Sequence, residues 1–133
     1  MKVLLICLIA GLFILTAGFK ISQETKPWPV PDAAAKKANP VKTSSASVSA
    51  GKALWNQHCS SCHGKMGLGD GSKAAQLKTH PGDFSTAAFQ SQSDGSIFYK
   101  IEEGRGDMPS FKKKIPDAND VWDLVNFMRT LKK

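Results

Sequence analysis

The sequence predicts an all-α fold of about three to five short helices, and three observations carry that expectation. Apolar residues recur at three- and four-residue spacing in three separate stretches, no convincing strand lies between them, and a Cys-x-x-Cys-His run closes the first stretch. With 133 residues, 11 Gly and 7 Pro, the chain has room for one small domain and an extension outside it.

Residues 1–20 read as a signal peptide or an N-terminal membrane anchor. Met1-Lys2 precedes an uninterrupted weakly polar to apolar run from Val3 to Phe19, and Lys20 closes it. Seventeen residues lie at the lower edge of what spans a bilayer, while Thr16-Ala17-Gly18 offers small residues for a signal peptidase. Cleavage and an uncleaved tether through residues 3–19 both remain open. Cys7 reads as one more apolar residue of the run, because Ile6 is not the small residue that lipoprotein processing needs. Either way the domain is expected to be exported to the periplasm. Only Cys59 and Cys62 lie beyond the leader, which suits that compartment if both are consumed in one site.

Residues 21–47 read as a linker. Lys26-Pro27-Trp28-Pro29-Val30-Pro31 favours extended backbone, Asp32 to Ala38 suits a short helix, and Thr43-Ser44-Ser45-Ala46-Ser47 has the composition of a flexible tether. Trp28 departs from this polar composition; it is expected either to lie on the folded domain or to meet a partner, the former being preferred.

Residues 48–133 then form the domain. A first helix is expected from about Ser49 to Cys59, with Gly51 and Trp55 on one face, Leu54 beside them, and Ser47 or Ser49 as cap. A second runs from about Asp94 to Glu103 on the stripe Ile97, Phe98 and Ile101, stopped by Gly104. The clearest begins at Pro116-Asp117, where Val121, Leu124, Val125, Met128 and Leu131 repeat at helical spacing. Trp122 and Phe127 widen its apolar face.

Cys59-Ser60-Ser61-Cys62-His63 carries the chemistry. Two thiols separated by two residues can form thioethers to the vinyl groups of a haem, and the adjoining His63 can reach its iron as an axial ligand. A thioredoxin-like dithiol would follow a strand in a βαβ unit, and none precedes Cys59. A structural zinc site would join two separated ligand pairs, and the chain has one. The glycines of Gly67-Leu68-Gly69-Asp70-Gly71 lack the entering strand and the Lys-Ser or Lys-Thr pair of a phosphate loop; they suit backbone bending closely around the haem edge. One covalent haem c is therefore the expected cofactor, and its apolar body helps so small a core to fold.

Residues 49–131 resemble the class I mono-haem bacterial cytochromes c. The resemblance rests on the attachment motif at the end of the first helix, a later Met-Pro loop and a final helix, in that order, and it implies that the last helix crosses the first. It implies that Gly51 is the small residue at the crossing, Trp55 the aromatic near it, and Phe127 the aromatic of the final helix. It also covers Gly64, Gly67, Gly69, Asp70 and Gly71, although Ser72 stands where many members carry Pro.

Three methionines follow the motif. Met66 is only three residues past His63, and Met128 lies on the apolar stripe of the last helix, where a core role is commoner. Met108 sits in Gly104-Arg105-Gly106-Asp107-Met108-Pro109, whose glycines allow close approach, and it matches the Met-Pro ligand motif of the resembling family. Met108 is the expected second iron ligand, with His80 as a rival. The resemblance further implies that the Pro81 carbonyl accepts from the His63 ring. Arg105 suits either a haem propionate or a solvated loop charge.

Beyond residue 20, 16 basic and 11 acidic residues leave a net charge of +5. Lys65, Lys73 and Lys78 follow the attachment motif, and Lys112-Lys113-Lys114 follow the Met108 loop. Such charge around a cofactor edge suits an acidic docking surface on a redox protein such as a membrane oxidase, reductase or dehydrogenase, although each Lys taken alone reads as ordinary solubilising charge. Nucleic acid is not an expected partner of an exported haem protein. The expected role is a non-enzymatic one-electron carrier. The alternatives are a domain or subunit through which electrons enter an oxidase or dehydrogenase complex, a haem peroxidase and a haem-based sensor. Peroxidases of this kind usually carry a second haem motif, and a sensor needs a signalling domain.

Replacing both Cys59 and Cys62 by Ala is expected to leave haem extractable by acidified acetone and the apoprotein largely unfolded. Absorbance of the extracted haem and far-ultraviolet circular dichroism check this.

Overall fold

The computed structural model describes residues 27–133, so the leader lies outside the described residues. Among the described residues there are six α-helices and no strand. In chain order they are α1 (Asp32–Ala35), α2 (Ser45–His58), α3 (Ser60–His63), α4 (Ala87–Gln90), α5 (Asp94–Glu103) and α6 (Ala118–Arg129), with a 3₁₀ turn at Ala74–Gln76. The all-α expectation holds, with three helices of ten or more residues and three single turns. None of the described helices is long and apolar enough to cross a membrane.

α2 and α6 cross at Gly51. A Cβ there would lie 2.0 Å from the Asp123 carbonyl oxygen and 2.9 Å from Phe127 Cβ, so the backbones meet where only a hydrogen atom fits. One turn on, Trp55 is 1% exposed and stands 5.7 Å from the Phe127 ring. Its indole Nε1–H donates to the Gly64 carbonyl at 3.0 Å, tying the crossing to the loop after the haem motif. α6 is buried along Val121, Trp122, Leu124, Val125, Phe127 and Met128. α5 closes the core with Ile97, Phe98 and Ile101, and Phe98 stacks on Trp122 at 4.1 Å.

Helix ends follow local chemistry. α5 occupies the expected residues, capped by Ser93, and Gly104 ends it at φ +68°. α6 starts after the Asp117 cap, whose carboxylate accepts from the Asn119 amide. α2 starts at Ser45, four residues ahead of the expected Ser49, because Ser44 is its cap and Ser47 turns inward. Ser47 is 7% exposed, and its hydroxyl donates to Asp123 while accepting from Asn126.

The segment expected as a linker is laid on the domain from residue 27 onward. α1 lies against Gly95, where a Cβ would come within 2.2 Å of the Ala34 carbonyl oxygen, and Ser93 Oγ donates to the Ala35 carbonyl. Lys37 Nζ sits 4.1 Å from the centroid of Phe98. Asn126, 2% exposed, fastens the rest: its Oδ1 accepts from Asn39 and Thr43, and its Nδ2 donates to the Val41 carbonyl and to Ser47. Every hydrogen-bonding capacity of that amide is used.

Gly51→Ala is expected to force the α2–α6 crossing apart and to lower stability by about 1–3 kcal/mol, read as a drop in melting temperature. Asn126→Leu keeps the volume but strands the partners of the amide; a loss of about 1–3 kcal/mol and faster proteolysis between residues 36 and 44 are expected.

Candidate haem site

The attachment residues are set by the join between α2 and α3. The Cys59 amide still donates to the Trp55 carbonyl at 2.9 Å, and the Cys59 carbonyl accepts from the amides of both Cys62 and His63. Two tight turns thus place Cys59, Cys62 and His63 on the wall of one cavity of about 330 Å³. Pro81, Arg105 and Met108 line the same cavity, so residues 22 to 49 positions downstream of Cys59 are brought back to it by tertiary folding.

The loop after the motif folds back onto it. Gly69 N–H donates to the His63 carbonyl at 2.9 Å and Gly71 N–H to that of Cys62, while Lys73 N–H reaches Ser61. At Gly69 (φ +77°) a Cβ would meet the Gly82 carbonyl oxygen at 2.6 Å, which is why this loop can press against residues 80–84. Phe84 N–H donates to Gly67 at 2.7 Å, and Asp83 accepts from the amide and hydroxyl of Ser85. Those bonds hold the Asp83 carboxyl below its ordinary pKa.

His63 is neutral at physiological pH. Burial pushes its pKa down to about 4, with the Pro81 backbone acting the other way, and Nδ1 is buried without a hydrogen bond in ordinary geometry. A neutral imidazole keeps a lone pair for a metal, so the ring is in its ligating form. The Cys59 thiol is pushed up to about 12, chiefly by burial and then by Cys62. A thiol so reluctant to ionise is a poor redox nucleophile, and Cys59 and Cys62 form no disulfide. Apolar side chains complete the cavity: Phe84 stands 4.7 Å from the His63 ring and stacks on Phe89 at 4.1 Å, with Ile97, Ile101 and Leu124 beyond. Two thiols, a neutral imidazole and an apolar slot fit a covalent haem.

Along the same cavity, the Arg105–Met108 segment forms a tight turn. Arg105 N–H donates to the Met108 carbonyl at 2.8 Å and Met108 N–H to that of Arg105 at 3.1 Å. The Asp107 carboxylate accepts from the Lys78 amide at 2.7 Å. Met108 is half-buried against the core, whereas Met66 is 63% exposed and Met128 is a buried residue of α6. His80 lines the cavity too, but its Nδ1 accepts from Gly82 N–H and its ring lies against Gly69, in the loop bonded to His63. Its ring is thus engaged on the His63 side.

Lys65, Lys73, Lys78 and Lys112 to Lys114 are all exposed, and Lys112 is ion-paired with Glu103. Sequence reasoning missed Phe84 and Phe89 as cavity walls; the signal available was the Pro81-Gly82-Asp83 turn that aims the following aromatic inward. Trp28 also lines the cavity, on the domain rather than reaching away from it.

A family model described as cytochrome c oxidase, cbb3-type, subunit III matches residues 46–128. No curated protein matches the sequence. Among solved structures, a chain of the Kuenenia stuttgartiensis reducing HAO-like protein complex Kustc0457/Kustc0458 is similar with a TM-score of 0.65 and 26% identity. That match covers 83% of this chain and 53% of the other, so this chain spans about half the length of its neighbour. The KustC0563 c-type cytochrome is similar over 62% of this chain and 98% of its own, with a TM-score of 0.55 and 34% identity. The match over residues 46–128 takes in the α2–α6 crossing, the attachment motif and the Met108 turn, and with it the chain belongs to the cytochrome c family which that model describes, whose cofactor is a covalently bound haem c.

Proposed function

We propose that the chain is an exported one-electron carrier in which Cys59 and Cys62 hold the haem and His63 and Met108 ligate its iron. The observation that carries this reading is that the attachment motif and the Met108 turn line one and the same cavity. An iron with imidazole and thioether ligands exchanges one electron with both axial positions filled, and the thioether raises its potential relative to two imidazoles.

The side chains support that task without bond-making chemistry. The Pro81 carbonyl accepts from the His63 ring once the haem is held, a role supported by the nearness of that backbone to the ring; Phe84, Phe89 and Leu124 keep water from the ligands. Arg105 meets a haem propionate with the part of its guanidinium not used on Pro27, a role that its position on the cavity lining supports. The role is a carrier rather than an enzyme. The exposed Lys65, Lys73, Lys78, Lys113 and Lys114 steer it to an acidic surface on a redox protein, a membrane oxidase, reductase or dehydrogenase. The segment 1–20 supports export to the periplasm, with a respiratory role there, as a free protein or tethered through residues 3–19.

A second reading is favoured by the neighbour from a multi-protein complex: the chain is the component through which electrons enter such an assembly. Co-purification at raised salt separates the two, since a carrier held by screened charge dissociates there and a subunit does not.

Met108→Ala is expected to retain covalent haem, lose the weak far-red ferric band of sulfur ligation, lower the reduction potential and admit carbon monoxide. Met66→Ala is expected to be nearly silent. Met128→Ala is expected to cost about 2–5 kcal/mol of stability while the far-red band persists. A Met108→Ala protein with wild-type spectrum and potential would make the ligand assignment wrong, and His80→Ala would be the next variant to record.

A further inference from the structure

The Met108 turn is braced from outside at two points. On one side Asp107 accepts from the Lys78 amide. On the other, the Arg105 guanidinium lies over the Trp28 ring, 4.6 Å from its centroid, and Arg105 Nη1 donates to the Pro27 carbonyl at 2.9 Å. Lys100 Nζ, from α5, approaches the same indole at 5.7 Å. A half-buried Trp thus receives two cations, one from the ligand turn and one from a core helix, on the rim of the haem cavity. Its place is fixed a few residues downstream, where α1 docks against Gly95 and Ser93 bonds Ala35.

This arrangement has a mechanical consequence. The Arg105–Met108 turn contains Gly106 at φ +58° with nothing within 4 Å of where a Cβ would be, so its outer edge is not held by packing. A turn of that kind stays closed only as firmly as its ends are tied. We propose that Trp28 is a positioning residue: clasping Arg105, it holds the Met108 turn closed over the cavity and suppresses a state in which the thioether leaves its place. The extension ahead of the domain is then a working part of the redox site. This inference rests on Met108 being an iron ligand.

The test uses the full-length holoprotein, with imidazole as the exogenous probe ligand. Trp28→Ala is expected to retain covalent haem but to weaken the far-red ferric band and to bind imidazole about tenfold more tightly, because the apparent affinity follows the fraction of open turn. Arg105→Gln, which breaks the clasp from the other side, is expected to shift both readouts in the same direction, and Trp28→Phe to restore most of the wild-type behaviour. Lys37→Ala loosens the same segment on Phe98, away from the cavity, and is expected to leave band and affinity unchanged. Wild-type imidazole affinity and an undiminished band in both Trp28→Ala and Arg105→Gln would overturn the clasp while Met108→Ala still lost the band. Equal effects from Lys37→Ala and Trp28→Ala would also overturn it, since loosening anywhere along the segment would then suffice. If Met108→Ala kept the band, the ligand assignment would fall and the clasp with it. Should Trp28→Ala not fold, the Arg105→Gln and Trp28→Phe pair decides.

Discussion

The close approach of α2 and α6 at Gly51 is the constraint on which the rest depends. Because no side chain separates the backbones there, Trp55 and Phe127 pack one turn further on, and the Trp55 N–H reaches Gly64 just past the haem motif. The register of α2 is thereby fixed at its C-terminal end, and with it the positions of Cys59, Cys62 and His63. A two-helix crossing this tight tolerates little rotation, so it serves as the rigid support against which the loops are arranged.

Much of the rest of the cavity lining is loop, and loops must be tied. The glycine-rich segment after His63 is stitched to the motif by main-chain bonds, and the segment around Phe84 is stitched to it in turn. The Met108 turn closes on itself and is braced by Lys78 and by Arg105 with Trp28. Backbone ties suit such a site, since they leave the cavity face of each loop to apolar side chains and keep polar groups satisfied at its edge.

Electrostatics divide between interior and rim. Inside, burial pushes the His63 pKa down and the Cys59 pKa up, so both groups favour their uncharged forms in the apolar slot. At the rim, Arg105 and Lys100 gather at Trp28, and desolvation followed by Arg105 lowers the pKa of Lys100 below its ordinary value. Lys65, Lys73, Lys78, Lys113 and Lys114 are exposed, where screened charge affects encounter more than fold.

The sequence by itself determined the helices that carry the fold and the chemistry of attachment. Spacing of Val121 to Met128 and of Ile97 to Ile101 specified buried faces, Gly104 and Asp117 marked ends, and Cys59-Ser60-Ser61-Cys62-His63 specified its cofactor, because these signals are local: each is read within a few residues. The start of α2 was missed because Ser44 and Ser47 look alike in composition, and only Asp123 and Asn126, far along the chain, draw Ser47 inward. Residues 27–44 looked like a tether for the same reason. Their Pro, Ala and Ser content lacks a periodic apolar face, and what docks them is a backbone contact at Gly95 and one buried amide, neither of which leaves a pattern in sequence. Tertiary structure alone brought Trp28 to Arg105 and Phe84 to His63, since those meetings depend on where the chain returns after long separations.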